Sequence, residues 1–138
     1  MSVRPDLSII IVSWNVSKLL ADCLDSIGQC CHTPSLKSPR ADGLTVEVIV
    51  VDSASSDGTA AMLLARYPQV ELLAQSENVG FTIGNNIGLK AATGRMLMLL
   101  NPDTVVIGDA LAQLVKYMDA HLDAVSYTHL RAHETGRN

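Results

Sequence analysis

Four short apolar runs, spaced along the chain and separated by segments of helical or turn character, constrain this sequence more than any other feature. Leu7 to Val12 (LSIIIV) and Val46 to Val51 (VEVIVV) are β-branched and nearly continuous in apolar character. A strand with one wet face alternates apolar and polar residues, whereas these runs suit strands covered on both faces, as in a parallel sheet. Val70 to Leu73 and Met96 to Leu100 supply two further strands. Between them, Leu19, Leu20, Cys23, Leu24 and Ile27 recur at helical spacing, with Ser17 or Asn15 available as N-cap and Gly28 as a stop. Thr59 to Tyr67 reads as a helix closed by Pro68, Phe81 to Ala92 as a third helix, and Asp109 to about His121 as a fourth. Strand and helix alternate throughout, which predicts an α/β fold: a Rossmann-like, doubly wound, mostly parallel sheet with right-handed crossovers.

Composition narrows the function classes. The 138 residues suffice for one domain with a real core, and 48% are hydrophobic. A formal charge of −4 leaves no basic footprint for nucleic acid. No apolar run approaches the length of a membrane span, and Leu7 to Val12 is too short for a signal peptide. Cys23, Cys30 and Cys31 are an odd number without metal-type spacing and read as free thiols in a reducing, cytoplasmic setting. The segment Gln29 to Gly43, with Pro34 and Pro39, reads as an irregular surface loop.

The strand ends carry the chemistry. In open α/β sheets, ligands bind beyond the carboxyl ends of the strands. Ser13-Trp14-Asn15 ends the first strand, where backbone amides can face a ligand at the helix entrance. The plainer alternative is an ordinary strand-to-helix turn with Trp14 packed in the core. Asp52 ends the second strand and can accept hydrogen bonds from a base imide or ribose hydroxyls, while Asp57 serves the turn or a helix cap. Asn78, Gly80, Gly84, Asn85, Asn86 and Gly88 follow the third strand; the glycines lie four apart and make one smooth helix face. Close helix packing accounts for Gly84 and Gly88, and the amides of Asn78 and Asn86 can fix a turn or a ligand. Asn101-Pro102-Asp103 ends the fourth strand. Asp103 there can ligate Mg²⁺ or Mn²⁺ against substrate phosphates, or cap the following turn.

In this order the pieces IIIVSWN (Ile9 to Asn15), VIVVDSASSDGT (Val48 to Thr59), ENVGFTIGNNIGL (Glu77 to Leu89) and MLLNPDT (Met98 to Thr104) resemble glycosyltransferase family 2, of the GT-A fold, and its rhamnosyltransferase-like branch in particular. The resemblance implies an inverting transferase that moves a sugar from a nucleotide-diphosphate donor, with dTDP-rhamnose as a candidate, to a saccharide or lipid-linked hydroxyl in cell-surface polysaccharide synthesis. It implies that Asp52 contacts the base. Ser13, Trp14, Asn15, Asn78, Gly80, Asn86 and Asn101 would line the nucleotide-sugar site, and Asp103 would hold the divalent metal. Asn101 stands where many members of the family carry the first acid of a D-x-D motif. The full-length protein would be cytoplasmic or peripheral at the inner membrane face. The alternative is a non-catalytic nucleotide-binding α/β module.

Val125 to Thr135 (VSYTHLRAHET) resembles the translated sequence of a transposase adapter used in DNA library preparation. On that reading residues 1–124 are the N-terminal, donor-binding part of an incomplete GT-A domain, and 125–138 are a non-native tail. The catalytic base is then expected in sequence beyond Ala124, and the chain alone is expected to be inactive. A sheet cut short would also leave an open edge and favour poor solubility.

Overall fold

The computed structural model describes residues 4–31 and 44–121. Most of the Gln29 to Gly43 loop, Ala124 and the 125–138 tail lie outside those residues.

The element order is β1 (Leu7–Ser13), α1 (Ser17–Cys31), β2 (Val46–Asp52), α2 (Thr59–Arg66), β3 (Glu71–Ala74), α3 (Gly80–Ala91), β4 (Met96–Leu99) and α4 (Ala110–Ala120). Every strand pairing is parallel, in the order β3-β2-β1-β4, as the doubly covered apolar runs require. The chain builds outward from β1 to β3, then crosses back to lay β4 on the other side of β1. That reversal makes the gap between β1 and β4 the topological switch point of the sheet.

Alternation along the strands divides the two faces. Leu7, Ile9 and Ile11 of β1 join Val46, Val48 and Val50 of β2 in a core with Leu20, Cys23, Leu24 and Ile27 of α1, Leu63 of α2, and Leu111 and Val115 of α4. The residues in between face α3. A Cβ on Gly84 would lie 2.8 Å from Val12 Cγ1, and one on Gly88 2.4 Å from Ile10 Cγ2. The expected smooth glycine face is therefore packed against β1, and the absence of side chains is what lets α3 approach.

Two local expectations are corrected. Gly28 does not stop α1, which continues to Cys31. An interior glycine costs a helix about 1 kcal/mol without removing a hydrogen bond, and no proline follows until Pro34. Nor does Asn15 cap α1. Asn15 sits in the left-handed region (φ 51°), and its Oδ1 accepts from the Ser56 N–H. The first helical N–H, that of Ser17, instead donates to Asp57 Oδ2 at 3.0 Å, so the cap comes from the β2–α2 loop.

Candidate functional site

Residues that sequence reading placed at strand ends do converge at the carboxyl edge of the sheet. Ser13 and Asp52 are register partners on β1 and β2. Both continue the alternation of Ile9, Ile11, Val48 and Val50, so both belong to the face that carries α1 and α4. One further bond on each side closes the pairing: the Ser53 N–H donates to Ser13 O at 2.8 Å, and Gln75 N–H donates to Asp52 O at 2.8 Å.

Asp52 is only 3% exposed. Its carboxylate accepts the Ser55 hydroxyl at Oδ1 (2.6 Å) and the Ser55 N–H at Oδ2 (3.1 Å). Ser55 Oγ in turn accepts the Asn15 N–H at 2.8 Å. Asp57 grips the same loop pair. It takes the Ser17 N–H and the amide and hydroxyl of Thr59, and the Thr59 hydroxyl above all holds its carboxyl below the usual carboxylate range. The β1–α1 and β2–α2 loops are thus clasped together by short polar side chains. The Asn15 amide, one of those expected to face a ligand, is spent on this clasp, as is the amide of Ser17.

Ser13 has the opposite status. Its side-chain oxygen is buried, with no hydrogen-bond partner among the described residues, and the residue is 1% exposed. A buried hydroxyl left unpaired costs about 1–3 kcal/mol, so it marks a place where a polar ligand atom would be welcome. Trp14, next in sequence, is 54% exposed and does not join the core, contrary to the plainer expectation for it. The clasp at Asn15 turns the chain outward immediately after the strand, which leaves the indole no core to enter.

On the other side of β1, Leu100 N–H donates to Ile10 O at 2.9 Å, so β4 ends three residues short of β1 and Asn101-Pro102-Asp103 follows at its carboxyl end. A turn closes there through Thr104 N–H to Asn101 O (3.1 Å), and Val106 N–H donates to Ser26 Oγ (2.9 Å), fastening the loop to α1. Asn101 and Asp103 are exposed. The Asp103 charge is felt at α1: burial pushes the Cys23 thiol up to about 11, and Asp103 adds to it.

From the α3 side, Asn78 Oδ1 accepts from the Ser53 hydroxyl (2.8 Å) and the Gly80 N–H (2.9 Å), while Ser53 Oγ accepts the Val79 N–H. Asn78 therefore fixes the turn into α3, where Gly80 has φ +82°. Asn86 makes none of these bonds. It lies six residues into α3 on the exposed side, and its neighbour Asn85, which sequence reading named without giving it a role, is the buried asparagine. Ser55 was also passed over; a serine three residues after a strand-end acid is the signal for it. A third omission, Glu47, lies at the opposite edge of the sheet, where it accepts from Ser8 and Thr93. A lone charge inside the run VEVIVV was the sign that a buried partner set must exist.

Among the described residues no three His, Cys, Asp or Glu side chains gather into a cation cage. The exposed Asn101 amide and Asp103 carboxylate supply hard oxygens at the switch point, a donor set that fits a cation sharing its coordination with a ligand's phosphates.

Comparison with known proteins places this geometry. Residues 8–138 match the model of the family described as glycosyl transferase family 2. The succinoglycan biosynthesis protein ExoO of Rhizobium meliloti (strain 1021) is 31% identical over 117 residues, which cover 84% of this chain and 30% of that protein. The minor teichoic acid biosynthesis protein GgaB of Bacillus subtilis (strain 168) is 25% identical over 127 residues, 90% of this chain and 13% of its own length. Among solved structures, the mannosyltransferase PcManGT from Pyrobaculum calidifontis, in complex with GDP-Man and Mn²⁺, superposes with a TM-score of 0.68 at 28% identity over 85% of this chain and 33% of that one. S. aureus TarS gives the same TM-score at 22% identity over 84% of this chain and 20% of that one, a likeness of fold. The chain thus spans about a third or less of these proteins' lengths. The family match and the likeness of fold agree: the chain belongs to glycosyl transferase family 2, with a GT-A-type sheet.

Proposed function

We propose that this chain forms the donor-nucleotide side of a sugar transferase, one that moves a sugar from a nucleoside diphosphate to a hydroxyl acceptor, with inversion, in polysaccharide synthesis. One observation carries the reading: at the carboxyl ends of the paired strands β1 and β2, the buried, unpaired Ser13 hydroxyl stands on the same face as the buried, preoriented Asp52 carboxylate. In this assignment the base lies toward Asp52 and Ser13, Trp14 lends an exposed ring, and the diphosphate lies toward Asn101 and Asp103. Mg²⁺ or Mn²⁺ would be held by Asp103 with help from Asn101, and when bound it would offset the charge of the departing diphosphate. The relatives support the class of donor, since PcManGT was solved with a nucleotide sugar and Mn²⁺. The finer assignment, dTDP-rhamnose in the rhamnosyltransferase-like branch, rests on the shared motifs with Asn101 in place of an acid. A cytoplasmic location fits a nucleotide-sugar donor. Among the described residues no helix is long and apolar enough to cross a membrane.

The test is thermal protection. UDP, dTDP or GDP with Mn²⁺ should raise the unfolding midpoint, by about 2.7 kcal/mol of stability at a hundredfold excess over Kd. Asp103→Ala should remove the metal-dependent part. No protection by any of the three nucleotides would refute the assignment.

A further inference from the structure

Resting on that reading, the geometry points to Ser55 as the positioning residue of the donor site, the side chain that orients the Asp52 carboxylate and ties its orientation to the β1–α1 loop.

Hydrogen-bond polarity fixes the argument. The Asn15 N–H can only donate, so Ser55 Oγ must accept from it at 2.8 Å. The serine hydroxyl has one proton, and with its oxygen engaged that proton goes to Asp52 Oδ1 at 2.6 Å. The Ser55 N–H closes the second contact on Oδ2 at 3.1 Å. One residue therefore grips both carboxylate oxygens, through a side chain and a backbone group that cannot move independently. Each oxygen keeps a further lone pair, so the carboxylate remains able to accept from a ligand while its plane is set.

The same chain of bonds reaches the other half of the site. Asn15 follows Trp14 and holds φ 51°, and its Oδ1 accepts the Ser56 N–H at 2.8 Å. Asn15 and Ser55–Ser56 thus exchange two reciprocal bonds between loops. A β1–α1 loop out of place would lose its bond to Ser55 Oγ, free the serine hydroxyl to rotate, and release Asp52 Oδ1. Orientation of the base-side acid and placement of Trp14 become one event. The half-buried Ser55 itself has no need to touch the nucleotide.

The experiment is calorimetric titration of the 138-residue chain with UDP, dTDP and GDP in Mn²⁺, and with inorganic pyrophosphate in Mn²⁺ as a ligand without a base. Variants are Ser55→Ala, Ser55→Cys, Ser55→Thr and Asp52→Ala. Loss of the oriented charged hydrogen bond should weaken the preferred nucleotide about tenfold in Ser55→Ala and in Ser55→Cys, which keeps the bulk if the alanine variant folds poorly. Ser55→Thr, which keeps the hydroxyl, should restore affinity to within about twofold of the parent. Pyrophosphate affinity should be the same in all four Ser55 forms. Nucleotide affinity unchanged in Ser55→Ala and Ser55→Cys while Asp52→Ala is weakened would overturn the role of Ser55 and leave the donor site standing. Parallel loss of nucleotide and pyrophosphate, unrescued by threonine, would reduce Ser55 to a structural clasp and overturn the proposal. Full nucleotide affinity in Asp52→Ala would overturn the donor-site reading and this inference together.

Discussion

Gly88→Ala sets helix propensity directly against packing. Alanine is favoured over glycine in a helix interior by about 1 kcal/mol, so an isolated α3 would be stabilised by the change. In the fold, the new methyl would stand 2.4 Å from Ile10 Cγ2, 3.2 Å from Ile10 Cγ1 and 3.3 Å from Val51 Cγ2. The first distance is more than an ångström inside a normal carbon contact. Ile10 and Val51 are both 0% exposed, on the two central strands of the sheet. Relief requires α3 to lift from the sheet, and overpacking of this kind costs typically about 1–3 kcal/mol. Given the closeness of the contact we take the upper end, so the net loss is about 2 kcal/mol. Urea denaturation should show the midpoint falling by roughly 1 M for an m-value in the usual range. Ile10→Ala removes the clashing atoms, so the double variant should be destabilised by less than the two single changes combined. Asn86→Ala, on the exposed side of the same helix, should be neutral or slightly stabilising. A Gly88→Ala chain more stable than the parent would refute the packing argument.

Other outcomes follow from the polar network. Glu47→Gln should cost about 1 kcal/mol or more in chemical denaturation, because Ser8 Oγ, the Thr93 N–H and the Thr93 hydroxyl donate to a carboxylate, and a neutral amide accepts such bonds less strongly. Burial raises the Asp6 carboxyl, but bonds from Thr45 and Arg95 outweigh it and hold the group below its ordinary 3.8. That contribution is complete above the unfolded value and fades as pH falls through the lower folded one. Asp6→Asn should therefore flatten the acid limb of a stability–pH profile. Tyr67 has the opposite sign: burial and then its bond to Asp25 push the phenol up to about 12. Its contribution is complete below the unfolded value of 10 and lost as pH rises towards 12, so Tyr67→Phe should flatten the alkaline limb. Melting curves read across pH check both.

Much of the architecture was written in local pattern. Leu7 to Val12 and Val46 to Val51 lack the alternation of a half-wet strand, and that alone called for a doubly covered parallel sheet, which β1 and β2 form. The strand ends were equally legible, because Ser13, Asp52 and Asn101 stand where apolar runs stop. The two four-residue steps from Gly80 to Gly84 to Gly88 in α3 announced a close approach, and Gly84 and Gly88 make it against Val12 and Ile10. Local pattern failed where a bond joins residues far apart in sequence. Asn15 seemed a helix cap and instead accepts from Ser56, while the cap on Ser17 arrives from Asp57, 40 residues away. Core packing was the plainer alternative for Trp14, yet with the turn at Asn15 it is 54% exposed.

Sequence alone thus determined the α/β class, the order of the elements and the set of strand-end residues, because these follow from periodicities of two and 3.6 and from the chemistry of turns. Tertiary structure decided which amides and hydroxyls are already spent. Asn15, Ser17 and Ser55 are engaged across two loops, and Ser13 Oγ is not. Hydrogen-bond satisfaction is a property of atoms brought within about 3 Å by the fold, and no local spacing encodes it.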